Sequence, residues 1–459
     1  MNRYVCFLLI TGVCFYQPLL RASETKLPDK PSEIPQWKHL EDYLEYAALH
    51  NAQLKAAFAD WQSAVEQAPQ VRALPDPKFN YGYFIREVET RVGPQRQKFE
   101  LTQMFPWFGV LEARGDAAAA QAKAAYQRYE AQKLKLFAEV KNVFYEYDFL
   151  AKAVRITREN LKLLTHFEEI ARIRYATSTA SHPDIIRAQI ELAILEDRLH
   201  SLLELRPALN AKLNSVLNRD SQELLPWPKS TRIRELPLDM NRMHTLIQQH
   251  NPNLKVLSHE IAAAKQGEIL ARKQSYPDIQ IGIGYIDTAG AIMSGVDDSG
   301  KDPIVGMVSL SLPIWNQKNQ AAKRQARARM MQKTHEKAQL QYTLAAQAQE
   351  LCYEHQDRQR KIKLYRDAVI PKARDMLLAA EATYQSGAAD FLTLLDAQQT
   401  LLLYQLHQER AAAQSEQILA QLEMLIGTEL PFSGPDQLSK PRSNIKAPTV
   451  REGIEGNDE

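Results

Sequence analysis

Apolar residues recur at helical spacing over two stretches far longer than an ordinary helix. Asp116 to His182 holds neither Gly nor Pro. After an Ala-rich opening (Ala117 to Ala120, Ala122, Ala124, Ala125), Leu134, Leu136, Phe137, Val140, Val143 and Phe144 keep a heptad-like rhythm. A second stretch, from about Gln317 to Ser386, has the same character. Only Pro371 interrupts it, and a kink is predicted there because proline removes a helical hydrogen bond. A helix of about 65 residues rises roughly 100 Å. Periodicity sustained well past 25 residues predicts coiled coils or helical repeats. Each long helix is predicted to end in a turn and return, over about Pro183 to Leu217 and Asp390 to Ile426. Ser181 is the expected cap of the first return, with Pro183 in its first turn and Asp184 at its third position. Gly387 suits a left-handed stop in the second turn.

Four short segments break the helical period. Phe79, Tyr81, Tyr83 and Ile85 form one alternating series, and Ile279, Ile281, Ile283 and Tyr285 another. Phe99, Leu101 and Phe105 form a third, with Gln103 a polar exception on the apolar face, and Val308, Leu310 and Leu312 a fourth. One apolar and one small or polar face, over about ten residues, fits a tilted strand crossing a bilayer. A half-buried sheet in a soluble domain gives the same alternation. Trp107, Phe108 and Trp315 lie just past the strand ends, where an interfacial aromatic belt is expected. A sheet in a bilayer must close on itself. Four strands are too few, so several copies must pool theirs.

These elements occur twice. Leu74-Pro75-Asp76-Pro77 before Phe79 is echoed by Tyr276-Pro277-Asp278-Ile279, and Met104-Phe105-Pro106-Trp107-Phe108 by Ser311-Leu312-Pro313-Ile314-Trp315. His50-Asn51-Ala52-Gln53-Leu54-Lys55 is echoed by His250-Asn251-Pro252-Asn253-Leu254-Lys255. Arg174-Tyr175 with Ala188-Gln189 is echoed by Thr383-Tyr384 with Ala397-Gln398, without a gap. An internal repeat fixes architecture before any local reading does. Each copy reads helix, strand, strand, very long helix, turn, helix. Because Ser178 stands where the second copy has Gly387, the two turns are expected to differ.

Composition narrows the class. The 459 residues carry a formal net charge of +2, with 45% apolar and 24% charged residues, so neither disorder nor a nucleic-acid partner is expected. Arg3 and the apolar run from Val5 to about Leu20, with Ala22 at a plausible cleavage site, predict a secretory signal peptide. Val13 before Cys14 departs from the small residue that acylation of a lipoprotein cysteine requires. Cys352 then stands alone in the mature chain, which excludes an internal disulfide framework. The expected organisation is signal peptide 1–22, N-terminal linker 23–38, first repeat 39–220, inter-repeat linker 221–240, second repeat 241–430 and a disordered tail 431–459.

The duplicated strand-Pro-Trp segments, with the turn Tyr384-Gln385-Ser386-Gly387 before Leu392-Thr393-Leu394-Leu395-Asp396-Ala397, resemble the TolC-like outer-membrane efflux protein family from about Leu40 to Gly427. The resemblance implies a mainly α fold with a small β part. Duplicated antiparallel helical hairpins form a tunnel, and four transmembrane strands per chain become a twelve-stranded barrel in a homotrimer. It implies an outer-membrane exit duct with its helical part in the periplasm, and with outer-membrane lipid, a periplasmic adaptor and an inner-membrane pump as partners. Tyr175, Ser178, Tyr384 and Gly387 fall at the adaptor-facing tips. Asp396 falls on a periplasmic gate position of the family, and Thr393 where a second carboxylate would stand; Asp396 as a solvated helix face is the plainer alternative. A soluble periplasmic coiled-coil scaffold or adaptor, its strands forming a small core, is the competing class.

No enzyme chemistry is expected. Cys352 and His355 have ligand-like spacing but no second pair, so no metal site is expected. Gly282-Ile283-Gly284 is strand alternation, with no helix start behind it to make a phosphate loop, and no cofactor is expected. The basic cluster Lys323, Arg324, Arg327 and Arg329 is expected on a solvated or headgroup-facing surface.

Overall fold

The structure is a computed structural model that describes residues 37, 39–229, 234 and 239–430. The predicted signal peptide, nearly all of the N-terminal linker and the predicted tail lie outside the described residues. The first half contains α1 (Leu40–His50), α2 (Ala52–Arg72), β1 (Lys78–Thr90), β2 (Gly93–Phe105), α3 (Val110–Ala176) and α4 (His182–Leu217). The second half contains α5 (Met240–His250), α6 (Pro252–Lys273), β3 (Ile279–Thr288), β4 (Ile304–Leu310), α7 (Asn316–Leu364), α8 (Ile370–Ser386) and α9 (Phe391–Ile426). No described helix is long and apolar enough to cross a membrane.

The single lead-in helix expected in each copy is two helices, and the echoed Asn explains the break. Asn51 Oδ1 accepts the Leu54 N–H (3.0 Å) and Asn251 Oδ1 accepts the Leu254 N–H (2.9 Å), so each caps a new helix. The amide nitrogen of each reaches the end of its own returning helix, Asn51 to the Val216 carbonyl (2.9 Å) and Asn251 to the Leu425 carbonyl (2.7 Å). One asparagine thus starts one helix and pins another, at the same place in both copies.

α3 runs unbroken for 67 residues, starting six residues before the stretch marked out by its sequence. Its counterpart is split by a π turn, Tyr365–Val369, rather than simply kinked. Val154 and its mate Ile362 are 208 residues apart and Tyr175 and Tyr384 are 209, so the second copy carries one extra residue between them, and a π turn is how an α-helix absorbs a single extra residue. The position follows from Pro371, whose ring would strike the Asp367 carbonyl in a regular helix. Tyr365 packs there at a tilt against Tyr404 (5.6 Å) and His407 (6.1 Å) on α9.

Allowing for that residue, the two copies bury the same helix face. Leu136, Val140, Phe144, Tyr147 and Val154 are buried, and so are their repeat mates Leu344, Ala348, Cys352, His355 and Ile362. The Cys352/His355 spacing is therefore core spacing inherited from an aromatic pair. Burial pushes the Cys352 thiol up and the His355 imidazole down, and His355 Nδ1 sits 3.2 Å from Ser415 Oγ. Near the turns, Phe167, Ala171, Ala188, Tyr384, Phe391 and Leu394 belong to one apolar cluster that joins both copies.

One buried charge network ties the inter-repeat segment to the long helices. Arg234 donates from Nε to Glu416 (2.7 Å) and from Nη1 to Glu423 (2.8 Å), while Lys141 Nζ donates to Glu423 (2.6 Å). Burial opposes charge on Glu423, but Lys141 and Arg234 prevail and hold it below the usual carboxylate range.

Candidate functional site

The four strands form one antiparallel sheet in the order β1-β2-β3-β4. Their register stacks apolar residues across one face: Tyr81, Phe99, Tyr285 and Ile304 in one row, and Phe79, Leu101 and Ile283 in the next. Ile281 and Val308 follow, then Phe105, Ile279 and Leu310. Gln103, the polar exception, donates its amide to the Pro75 (2.7 Å) and Met104 (2.9 Å) carbonyls, so its own donor is satisfied within the chain. The other face carries Gly82, Lys98, Glu100, Thr102, Gly282 and Gly284, with Lys98 and Glu100 paired at 3.0 Å. Phe79, Tyr81, Ile281, Ile283, Ile304, Val308 and Leu310 are all exposed. The apolar face is not a core.

At the base of the sheet Trp107 is half-buried, its ring stacked on Tyr276 (5.1 Å) and its backbone N–H donating to Asp278 Oδ1 (3.0 Å). Phe108 and Trp315 are exposed. All three stand at one end of the strands, though Trp107 is also a packing residue.

At the far end of the long helices lie the two turns. Ser178 has φ +59° and Gly387 has φ +82°, so both turns pass through the left-handed region. The same bond closes each, Thr179 N–H to the Arg174 carbonyl (2.8 Å) and Ala388 N–H to the Thr383 carbonyl (2.9 Å). The expected difference between the turns is absent from the backbone, since a serine accepts the strain that a glycine avoids. The returning helices start alike. Ser181 N–H donates to Asp184 Oδ2 (3.2 Å), the cap its sequence predicts, and Asp390 Oδ1 accepts from Thr393 N–H (3.0 Å) and Oγ1 (2.7 Å). The Thr393 hydroxyl holds Asp390 below the usual carboxylate range and is spent on that cap.

The turns differ in side chains. Arg174, whose mate is Thr383, donates from Nη1 to the Tyr384 carbonyl and from Nη2 to the Thr179 carbonyl (2.7 Å). Its guanidinium lies 4.5 Å from the Tyr384 ring centre. One arginine from the first turn therefore spans both. Tyr384 is buried, burial raises its pKa, and its hydroxyl has no partner among the described residues. Together with Thr179, Ser181, Asp184 and Asp390 these residues line a polar recess of about 330 Å³ between the turns. Ser178, Tyr384 and Gly387 meet there; Tyr175 points elsewhere, its ring 5.5 Å from that of His182. Asp396 is exposed on α9, and so is its repeat mate Arg187 on α4. Neither arginine was marked out by its sequence as a site residue. The available signal was a charged residue facing an uncharged or oppositely charged mate.

Comparison with known proteins agrees with this geometry. The sequence profile of a family described as outer membrane efflux protein matches residues 44–217 and 245–428, one segment in each half. Toxin and drug export protein A of Aggregatibacter actinomycetemcomitans is 24% identical over 214 residues, 46% of this chain and 45% of that protein. Outer membrane protein OprJ of Pseudomonas aeruginosa is 25% identical over 301 residues, 64% of this chain and 62% of that protein. The match thus spans less than two thirds of either relative. Among solved structures, the outer membrane protein VceC of Vibrio cholerae superposes with a TM-score of 0.69 at 18% identity, covering 85% of this chain and 96% of that one.

Proposed function

The chain belongs to the outer membrane efflux protein family, and we propose that it serves as the outer-membrane exit duct of a tripartite efflux or secretion system. In this reading it is a passive conduit, a homotrimer whose helical tips meet a periplasmic adaptor and an inner-membrane pump, with the energy supplied by the pump. One observation carries the proposal: the sheet exposes a whole apolar face, and its edge strands β1 and β4 pair with nothing described. Open edges cannot stand in hydrocarbon. β1 and β4 run in opposite directions, so β4 of one copy can pair antiparallel with β1 of the next, and three copies yield an even, twelve-stranded barrel. A soluble scaffold needs those strands to cover a core, and their apolar side chains have none.

The gate belongs to the same reading. Asp396, with Arg187 at the matching place in the other hairpin, sets acidic and basic groups at one level near the tips. The test is the native mass of detergent-extracted protein from an outer-membrane fraction, followed by conductance in a planar bilayer. A trimer that conducts is expected; a water-soluble single chain in the periplasm overturns the duct.

A further inference from the structure

The two long helices begin alike in backbone and unlike in charge. The first twenty residues of α3 hold two acids, Glu112 and Asp116, among three cations; the first twenty of α7 hold six cations, from Lys318 to Lys333, and no acid. Lys333 is paired with Glu260 (3.1 Å) and Glu336 (2.9 Å). Lys318, Lys323, Arg324, Arg327 and Arg329 have no ion pair among the described residues, and all but the half-buried Lys323 are exposed. Cations at a helix start oppose the partial positive charge that the backbone already places there. α3 shows the ordinary arrangement, with Glu112 in its first turn and Asp116 paired to Arg72 (2.9 Å). α7 has neither, so the charge that balances its cations lies outside the chain.

Their place in the fold says what carries that charge. α7 follows directly on Leu312, Ile314 and Trp315, all exposed, which extend the apolar band of the sheet past the end of β4. If the sheet stands in a bilayer, these three mark the edge of the hydrocarbon, and the next turns of α7 pass through a headgroup layer about 5–7 Å deep. Lys318 lies about 5 Å along the helix from Trp315 and Arg324 about 14 Å. Lysine and arginine stems swing their charged ends back toward such a layer. Arg327 and Arg329, one turn farther down, add to the same field. The other end of the sheet is different: the loop between β3 and β4 holds Asp297, Asp298 and Asp302 against Lys301 alone.

We propose that the first three turns of α7 form a cationic belt for the headgroups of anionic phospholipid in the periplasmic leaflet, with Lys318, Lys323 and Arg324 as the contact residues. This rests on the membrane duct and adds the lipid chemistry that its base selects. A zwitterionic headgroup brings its own ammonium and leaves these cations unbalanced, so net charge rather than phosphate alone is what the belt distinguishes.

The test uses the full-length multimer extracted from outer membranes and reconstituted in nanodiscs of phosphatidylglycerol and phosphatidylcholine in equal parts. Native mass spectrometry after release counts the lipids of each kind that stay bound. The wild type is expected to retain phosphatidylglycerol preferentially. Each cation near an anionic surface strengthens binding about five-fold, so Lys318→Gln, Lys323→Gln and Arg324→Gln together should lower that preference about ten-fold or more. Arg158→Gln, Arg198→Gln and Lys372→Gln together remove the same charge from exposed positions on the distal hairpins and should leave it unchanged. Equal retention of both lipids by the wild type, or an equal loss in the distal variant, overturns the belt and leaves the duct standing. Unchanged lipid retention with altered ion selectivity in a planar bilayer puts the cations in the lumen and also overturns the belt. A water-soluble single chain overturns both belt and duct. Should the triple variant fail to assemble, the wild type decides: raising salt should weaken its preference several-fold, and a preference indifferent to salt overturns the belt.

Discussion

The two halves of this chain use one plan under different obligations. The long helix of the first half is unbroken and covered on both flanks; that of the second is interrupted at Tyr365–Val369 and bare on one flank. Where each half packs against itself, the mates agree: Asn51 with Asn251, and Leu136 with Leu344. Where a half meets something else, they diverge: Lys141 with Gln349, Arg174 with Thr383, Arg187 with Asp396. Duplication makes the internal packing redundant evidence, and divergence marks the surfaces that the plan alone does not explain.

The largest expected effect breaks the comparison at its most buried difference. Glu423 is held by Lys141 and Arg234, while its mate Asn214 only donates to the Glu223 carbonyl (2.6 Å). Glu423→Ala leaves the buried Lys141 ammonium without its carboxylate, while Arg234 keeps Glu416, and should cost about 3–5 kcal/mol. Asn214→Ala should cost about 1 kcal/mol. Denaturant unfolding of the detergent-solubilised protein compares the two. The pH dependence has a defined sign. The folded pKa of Glu423 is lowered, so its contribution is complete above the ordinary glutamate value and fades as pH falls through the lowered one. Glu423→Gln should remove that acid-side loss.

Next in size is the bridge between the turns. Arg174→Ala removes two charge-assisted bonds and a ring contact that the Thr383 side of the comparison lacks. It should cost about 2 kcal/mol locally. Hydrogen exchange at residues 175–185 and 384–390 should speed up accordingly, and basal conductance should rise. Unchanged exchange at 384–390 would mean the second turn stands without the first.

The order of elements was legible because repeats, caps and alternation all agreed. What escaped the sequence depended on contacts across long separations. Asn51 and Asn251 were visible as an echo, yet their second role, pinning the Val216 and Leu425 carbonyls, joins residues far apart in the chain. Lys141 and Glu423 are far apart in the chain and ordinary in type. The π turn shows only as one residue of extra length between two landmarks, a difference easily absorbed by an uncertain alignment. Ser178 hid the likeness of the turns, because serine gives no sign of a left-handed backbone. For the proposed membrane sheet, alternation was plain, but only the exposure of Ile281, Ile283 and Val308 separates it from a soluble core.

That serine sharpens the comparison by a smaller amount. Ser178→Gly relieves a left-handed L-residue and should stabilise the first turn by about 1 kcal/mol. Gly387→Ser should cost the second turn about as much. It also sets a Cβ 3.2 Å from Arg174 Nη2, which must shift. Exchange protection at each turn reads both changes, and if the serine variant at 387 matches the wild type, the strain is being absorbed elsewhere.

The smallest effect concerns the exposed pair that sits at equivalent places with opposite charge. If copies alternate around a ring, Asp396 and Arg187 alternate too, and neither sign dominates the lumen. Replacing Asp396 with Ala leaves a basic ring, and replacing Arg187 with Glu leaves an acidic one of twice the original carboxylate number. Exposed charges contribute up to about 1 kcal/mol each, so the change in divalent-cation block should be about five-fold rather than hundreds. It should have opposite sign in the two variants: weaker block in Asp396→Ala, stronger in Arg187→Glu. Equal block in both, with conductance unchanged, would place the two residues on the outer surface of the helices, and the constriction would then have to be sought among the residues around the recess instead.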